Sequence, residues 1–159
     1  MNNSGLDIDN TRIEELLKSA IVTATEALKF YTELLEVVSS EGQRQKLRKI
    51  TQLKTKHRAT LEGLYVMVTL EKPEGLPPKG AVSFGEIDST GEIETRLAAV
   101  IGVEEKIRHY YQELSKRTDD RELKHLLMML AEEERSLVGL LWELTATGPP
   151  RGVVKPRFL

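Results

Sequence analysis

The chain has no cysteine, so disulfides, thiolate metal ligands and a cysteine nucleophile are all excluded; that is compatible with a reducing compartment without establishing one. Aromatic residues are only 5% of the total, which leaves a core to be built from aliphatic side chains. Neither sign of charge dominates: 23 Lys and Arg stand against 25 Asp and Glu. No basic field exists to hold a phosphate backbone, and nucleic acid is not an expected partner. No apolar run approaches the roughly 20 residues of a membrane span, so a membrane is not expected either. The opening "MNNSGLDIDN" is polar and acidic and lacks the pattern of a signal peptide. The expectation is a soluble cytoplasmic protein with one domain rich in helix.

What is present is one periodic signal, four times over. Inward positions step by alternating fours and threes through Ile13, Leu17, Ala20, Ala24, Ala27, Tyr31, Leu34 and Val38, a heptad seam. A second seam runs Leu47, Ile50, Lys54, His57, Leu61, Leu64, Val68. A third runs Ile93, Leu97, Val100, Glu104, Ile107, Tyr111, Leu114, and a fourth Leu123, Leu127, Leu130, Glu134, Leu137, Leu141, Leu144. Capping-box spacing at Thr11/Glu14, Ser40/Gln43 and Ser89/Glu92, with a looser version at Asp119/Glu122, marks the starts. The spacing predicts helices over about 11–39, 41–70, 90–117 and 119–146.

The links after the first and third helices are a few residues long, which requires antiparallel hairpins. The middle link, "EKPEGLPPKGAVSFGEIDST" from Glu71 to Thr90, is rich in Gly and Pro. A helix of about 28 residues is about 42 Å long, and about 20 extended residues reach that far. The reading is an all-α four-helix bundle over 1–147, its two hairpins joined by a long crossover, with 148–159 as an extended basic tail. Val153, Val154, Phe158 and Leu159 give that tail a second reading, as a strap on the bundle or on a second subunit.

The hairpins are also copies of each other. Adding 80 to a residue number carries Ile13 to Ile93, Leu17 to Leu97, Ile21 to Ile101, Leu47 to Leu127 and Leu61 to Leu141, and it carries "FYTEL" at Phe30 to "YYQEL" at Tyr110. An offset kept without a gap across two helices and a turn points to duplication.

Only four strongly polar residues interrupt the seams: Lys54, His57, Glu104 and Glu134. In "ITQLKTKHRATLEGL", Ile50 to Leu64, a lysine and a histidine share a face with Ile50, Leu61 and Leu64. Under the offset, Ala24 corresponds to Glu104, Lys54 to Glu134, and His57 to Leu137. An ancestor with a carboxylate on helices one and three, and Glu-x-x-His on helices two and four, accounts for all of them.

That layout resembles the rubrerythrin and ferritin-like di-iron carboxylate proteins, in which one Glu from each of two helices and a Glu-x-x-His from each of the others hold two metals in the bundle core. The resemblance covers roughly Ile13 to Leu144. It includes the aromatic pairs Phe30-Tyr31 and Tyr110-Tyr111, and "LAEEERSLVGLL" with Glu134 at the ligand position. It implies a ferritin-like bundle, commonly a homodimer, with ligand positions at Ala24, Lys54, His57, Glu104, Glu134 and Leu137. Of these, His57, Glu104 and Glu134 keep donor atoms.

Three readings of the core follow. In the first, Lys54 and a protonated His57 balance Glu104 and Glu134 as an internal ion-pair cluster, no cofactor is expected, and the protein is a structural or interaction module. In the second, Lys54 snorkels to the surface and His57 is an ordinary core histidine. In the third, His57, Glu104 and Glu134 bind a single iron or zinc, and the protein is an oxidoreductase or iron-binding protein with a reduced ligand set. Glu26, Glu105, Glu132 and Glu133 lie off the seams and are expected in solvent, as are His109 and His125. Tyr31 and Tyr111 are expected to pack in the core with hydrogen-bonded hydroxyls.

The offset itself supplies a test. Ala24→Glu, Lys54→Glu and Leu137→His together rebuild the ancestral set, with Glu and His at i, i+3 on one helical face. The triple variant should be less stable than the parent without metal and should regain stability as ferrous iron is added. Anaerobic titration binding fewer than about two irons per chain, the stoichiometry of the di-iron family, would show that the repeat misplaces the site.

Overall fold

The computed structural model describes Ile8 and residues 11–145. The heptad seams become four helices, α1 (Ile13–Val37), α2 (Glu41–Thr69), α3 (Ile93–Ser115) and α4 (Arg121–Leu144), with no strand among the described residues. Each is slightly shorter than the spacing predicts. Both pairs of helix starts, Ile13/Ile93 and Glu41/Arg121, differ by 80 positions. The expected tail, 148–159, lies outside the described residues.

Every seam position is buried except Ile13, Val68 and Ile93 at helix ends, which are half-buried. The hairpins α1–α2 and α3–α4 pack most extensively, and α2 on α4 and α1 on α3 close the ring. Direction follows from side chains that reach across. Tyr110 donates its hydroxyl to the Leu16 carbonyl at 2.8 Å and Arg117 donates to the Thr11 carbonyl at 3.0 Å, so α3 runs antiparallel to α1. Gln43 donates to the Leu144 carbonyl, which sets α4 antiparallel to α2. With α1 and α2 also antiparallel, the chain must travel the length of the bundle between α2 and α3.

The helix starts divide the capping signals. Ser40 Oγ accepts from the Gln43 amide, as expected. The Thr11 and Ser89 signals do not mark caps: α1 begins after Arg12 and α3 after Glu92, neither with a side-chain cap bond. Before α3 the polar run folds into a turn of its own, where Asp88 Oδ1 accepts from the Thr90 amide at 2.9 Å. On α4 the cap moves by one residue, and Asp120 accepts from the Leu123 amide at 2.9 Å. The end of α1 is closed from α2, as Arg44 donates to the Leu35 and Val38 carbonyls.

The crossover is held against α1 at one polar point. Thr23 donates its hydroxyl to the Ser19 carbonyl at 3.0 Å, while the same oxygen accepts from the amides of Ala81 at 2.8 Å and Val82 at 3.3 Å. Ala81 and Phe84 are buried, and the Phe84 ring lies 5.8 Å from that of Phe30. Such close approach excludes a side chain at Gly80, where a Cβ would lie 2.8 Å from the Thr23 nitrogen and 2.9 Å from its Cα. Gly80→Ala should therefore cost about 1–3 kcal/mol as overpacking. Gly85→Ala, whose Cβ would meet only Ser83 Oγ at 3.4 Å, should cost far less. Urea denaturation of the two variants compares them directly, and equal losses would remove Thr23 as the docking point.

Candidate functional site

The four polar seam residues meet at the bundle centre. Lys54 is 1% exposed, so its amine does not snorkel to water. Its Nζ donates to Glu104 Oε1 on α3 and to Glu134 Oε1 on α4, each at 2.5 Å. Both carboxylates are fully buried. The other oxygen of Glu104, Oε2, accepts from the Tyr31 hydroxyl on α1 at 2.5 Å. On α2, one turn beyond Lys54, His57 places Nδ1 3.1 Å from Glu134 Oε1 and Nε2 2.9 Å from Glu133 Oε1. Lys56 donates to the second oxygen of Glu133 at 3.1 Å. A continuous chain of contacts thus runs from exposed Lys56 through Glu133, His57, Glu134, Lys54 and Glu104 to Tyr31.

Two expectations change here. Glu133 is not a solvated surface residue. Its side chain is only 20% exposed, because it folds back from one position off the seam to hold the outer nitrogen of His57. The histidine faces carboxylate oxygens from both nitrogens, an arrangement that a ring donating from both satisfies fully. The cluster therefore contains three carboxyl groups rather than two. The signal for this was present in the antiparallel register that pairs Lys46 with Glu143, which sets Lys56-His57 opposite Glu133-Glu134. Of the expected aromatics, Tyr31 carries the hydroxyl bond to Glu104, and Tyr111 presents its ring edgewise to His57 with 6.4 Å between centroids. Ala24 and Leu137 are buried apolar positions. His109, His125, Glu105 and Glu132 are exposed as expected, and Glu26 is half-buried.

The two glutamates on Lys54 are not electrostatically equal. Burial, reinforced by the negative charge of Glu134, pushes the Glu104 carboxyl well above the usual range, with Lys54 opposing. Burial also works to raise Glu134, but there the Lys54 ammonium and the bond from His57 overcome it and hold the group below its usual range. Glu134 Oε1 receives both Lys54 and His57, while its Oε2 is buried without a hydrogen-bond partner. Burial works to lower Lys54, yet Glu104 and Glu134 together raise it. Tyr31 is raised by burial and then by Glu104. Glu133 is lowered, chiefly by the bond from His57. The centre then holds one ammonium, one carboxylate and one neutral acid, and it balances without solvent.

Among the described residues there is no group of three or more His, Asp or Glu side chains arranged to hold a metal ion, and no helix is long and apolar enough to cross a membrane. No family model and no curated protein matches the sequence. A solved structure of a hypothetical protein from Pyrococcus furiosus is similar, with a TM-score of 0.72 and 27% identity over 86% of this chain and 92% of that one. That likeness extends the four-helix architecture to a second protein and carries no activity with it.

Unequal charge yields an unequal response to substitution. Glu134→Gln strands the Lys54 ammonium and should cost about 3–5 kcal/mol. Glu104→Gln replaces one neutral acceptor by another and should cost about 1 kcal/mol. Equal losses in denaturant would show that both glutamates are ionised. The pH dependence has opposite signs. Glu134, lowered, contributes stability above its ordinary value of 4.5 that is lost as pH falls. Glu104, raised, takes up a proton on folding, so stability declines as pH rises from 4.5 toward its folded value. Glu104→Gln should remove that decline, and its stability deficit should shrink as pH rises to neutrality.

Proposed function

We propose that this chain is a rubrerythrin-like, ferritin-fold protein in which an internal ion-pair cluster has replaced the di-iron site, and that it serves as a structural or interaction module and not as an oxidoreductase. The observation that carries the reading is the position of Lys54 Nζ, 2.5 Å from an oxygen of Glu104 and 2.5 Å from an oxygen of Glu134. A metal shared by these carboxylates would need the volume the ammonium fills, and would face its charge at contact distance. The donor set fits the group no better. Glu104 Oε2 is bonded to Tyr31, both nitrogens of His57 face carboxylates, and Ala24 and Leu137 contribute no donor atoms. The residues present do not fit a di-iron centre, and no redox step is assigned to them.

With its centre filled, the fold offers partners only its surface. At the end of α2, Val66, Met67 and Leu70 are exposed, Leu70 by 87%. Gly63 lies one turn earlier, where a Cβ would meet nothing within 4 Å. A mid-helix glycine costs about 1 kcal/mol against alanine, and nothing within the described chain requires it. This face supports the homodimer expected of the family, and sedimentation of Leu70→Glu beside the parent tests it.

Element analysis of protein purified after growth in iron-rich medium tests the functional reading directly. No stoichiometric iron, zinc or manganese is expected, because the Lys54 ammonium fills the position between the two carboxylates. Stoichiometric metal that depends on Glu104 and Glu134 would falsify it. Lys54→Met should destabilise by roughly 3–5 kcal/mol through the orphaned carboxylate, whereas replacing Lys54, Glu104 and Glu134 together by apolar residues should be far milder.

A further inference from the structure

An amine held against two carboxyl groups, with water excluded, is more than an ion pair: it is the reactant complex for an amide. We propose that Lys54 and Glu104 form an intramolecular isopeptide bond after folding, joining α2 to α3, with Glu134 as the proton acceptor. This inference rests on the ion-pair reading of the cluster and adds a covalent step to it.

Three features of the geometry, together with the burial of Glu104, favour the reaction. The amine nitrogen is in contact with the carboxyl oxygens of both glutamates and is 1% exposed. Reactants fixed in this way reach effective concentrations of roughly 10⁵–10⁸ M when well aligned. Glu104 is distinguished from Glu134 as the acyl donor because the Tyr31 hydroxyl donates to its Oε2, where negative charge builds as the carboxyl carbon becomes tetrahedral. Glu134 sits on the same nitrogen from the opposite helix, with a carboxylate free to take a proton. Burial favours the neutral acid at Glu104, the form that can acylate an amine.

The step balances in protons and charge. Lys54 gives one proton to Glu134, and the neutral amine attacks the Glu104 carboxyl carbon. The C–N bond forms, and the C–OH bond breaks as that hydroxyl leaves with a second amine proton, as water. Glu134 keeps the first proton and remains a neutral acid. The cluster begins with one ammonium, one carboxylate and one acid, and ends with an amide, an acid and a released water. Both states are neutral overall, but the product contains no separated charges, which a desolvated core favours. No oxidant or cofactor takes part. Because the Glu134 carboxylate at 2.5 Å holds the ammonium form of Lys54, the neutral amine is scarce, and the bond forms slowly and once per molecule.

Intact mass spectrometry of the denatured full-length protein, sampled during prolonged incubation of the folded chain, decides the matter. The expected result is a species lighter by one water, from which a protease yields a branched peptide linking Lys54 to Glu104 and does not cut after Lys54. Protein incubated in denaturant should keep its full mass. Tyr31→Phe should slow the loss by about 10²-fold, the effect of removing one oxyanion donor. Glu104→Gln should show no loss of water. An unchanged mass in the folded parent overturns the proposal, and if Lys54→Met is still strongly destabilising, the ion-pair reading survives it. A water lost from elsewhere, or a link to Glu134, also overturns it. Rapid acetylation of Lys54 in the folded protein would refute both readings, since neither permits access to that amine.

Discussion

The bundle depends on how a lysine ammonium can exist where there is no water. An unpaired charge in such a place costs several kcal/mol even after relaxation, so the fold must bring an anion to Lys54 and satisfy that anion in turn. It does so with groups from all four helices. α2 supplies Lys54 and His57, α4 supplies Glu134 and Glu133, α3 supplies Glu104 and α1 supplies Tyr31. An aliphatic heptad seam tolerates a slip of one repeat with modest loss, because leucine meets leucine again. The polar cluster does not, since a slip of any one helix leaves a buried charge or acid without its partner. Register is the best-attested gain from such groups, and here one nitrogen sets α2 against α3 and α4, with α1 joined through Tyr31.

Much of this could be read from the sequence, and the reason is periodicity. A buried stripe in a long helix repeats so regularly that each exception identifies itself, and Lys54, His57, Glu104 and Glu134 are all among the buried polar residues. Glu133 could not be found in that way. It sits one position from the seam, about 100° around the helix, and returns only because a long side chain can bend toward His57. The course of the crossover was equally hidden, because the link 71–90 has no period and its contact with Thr23 depends on the space above Gly80. Local signals were weaker still. Ser40 caps α2 as its spacing suggests, but Thr11 and Ser89 have the same pattern without the role. A capping box is only two residues of agreement, and a competing turn at Asp88 decides it.

A duplication at the 80-residue offset of the helix starts would account for the difference in charge between the halves. Lys54 and Glu134 are equivalent positions, 80 residues apart, and they are bonded to each other. Two equivalent residues can touch only if the axis relating the halves passes between them. Before duplication, a pair of identical hairpins would have placed the same residue at both positions. Two lysines there repel, and two glutamates repel unless a cation lies between them. Unlike charges can meet across that axis only after the halves have become one gene product and begun to diverge. A single substitution to lysine on one side then gives the opposite glutamate a cation of the protein's own. The apolar residues at Ala24 and Leu137 fit the same sequence of events, since further donors around an already balanced pair would only add buried polar groups to satisfy.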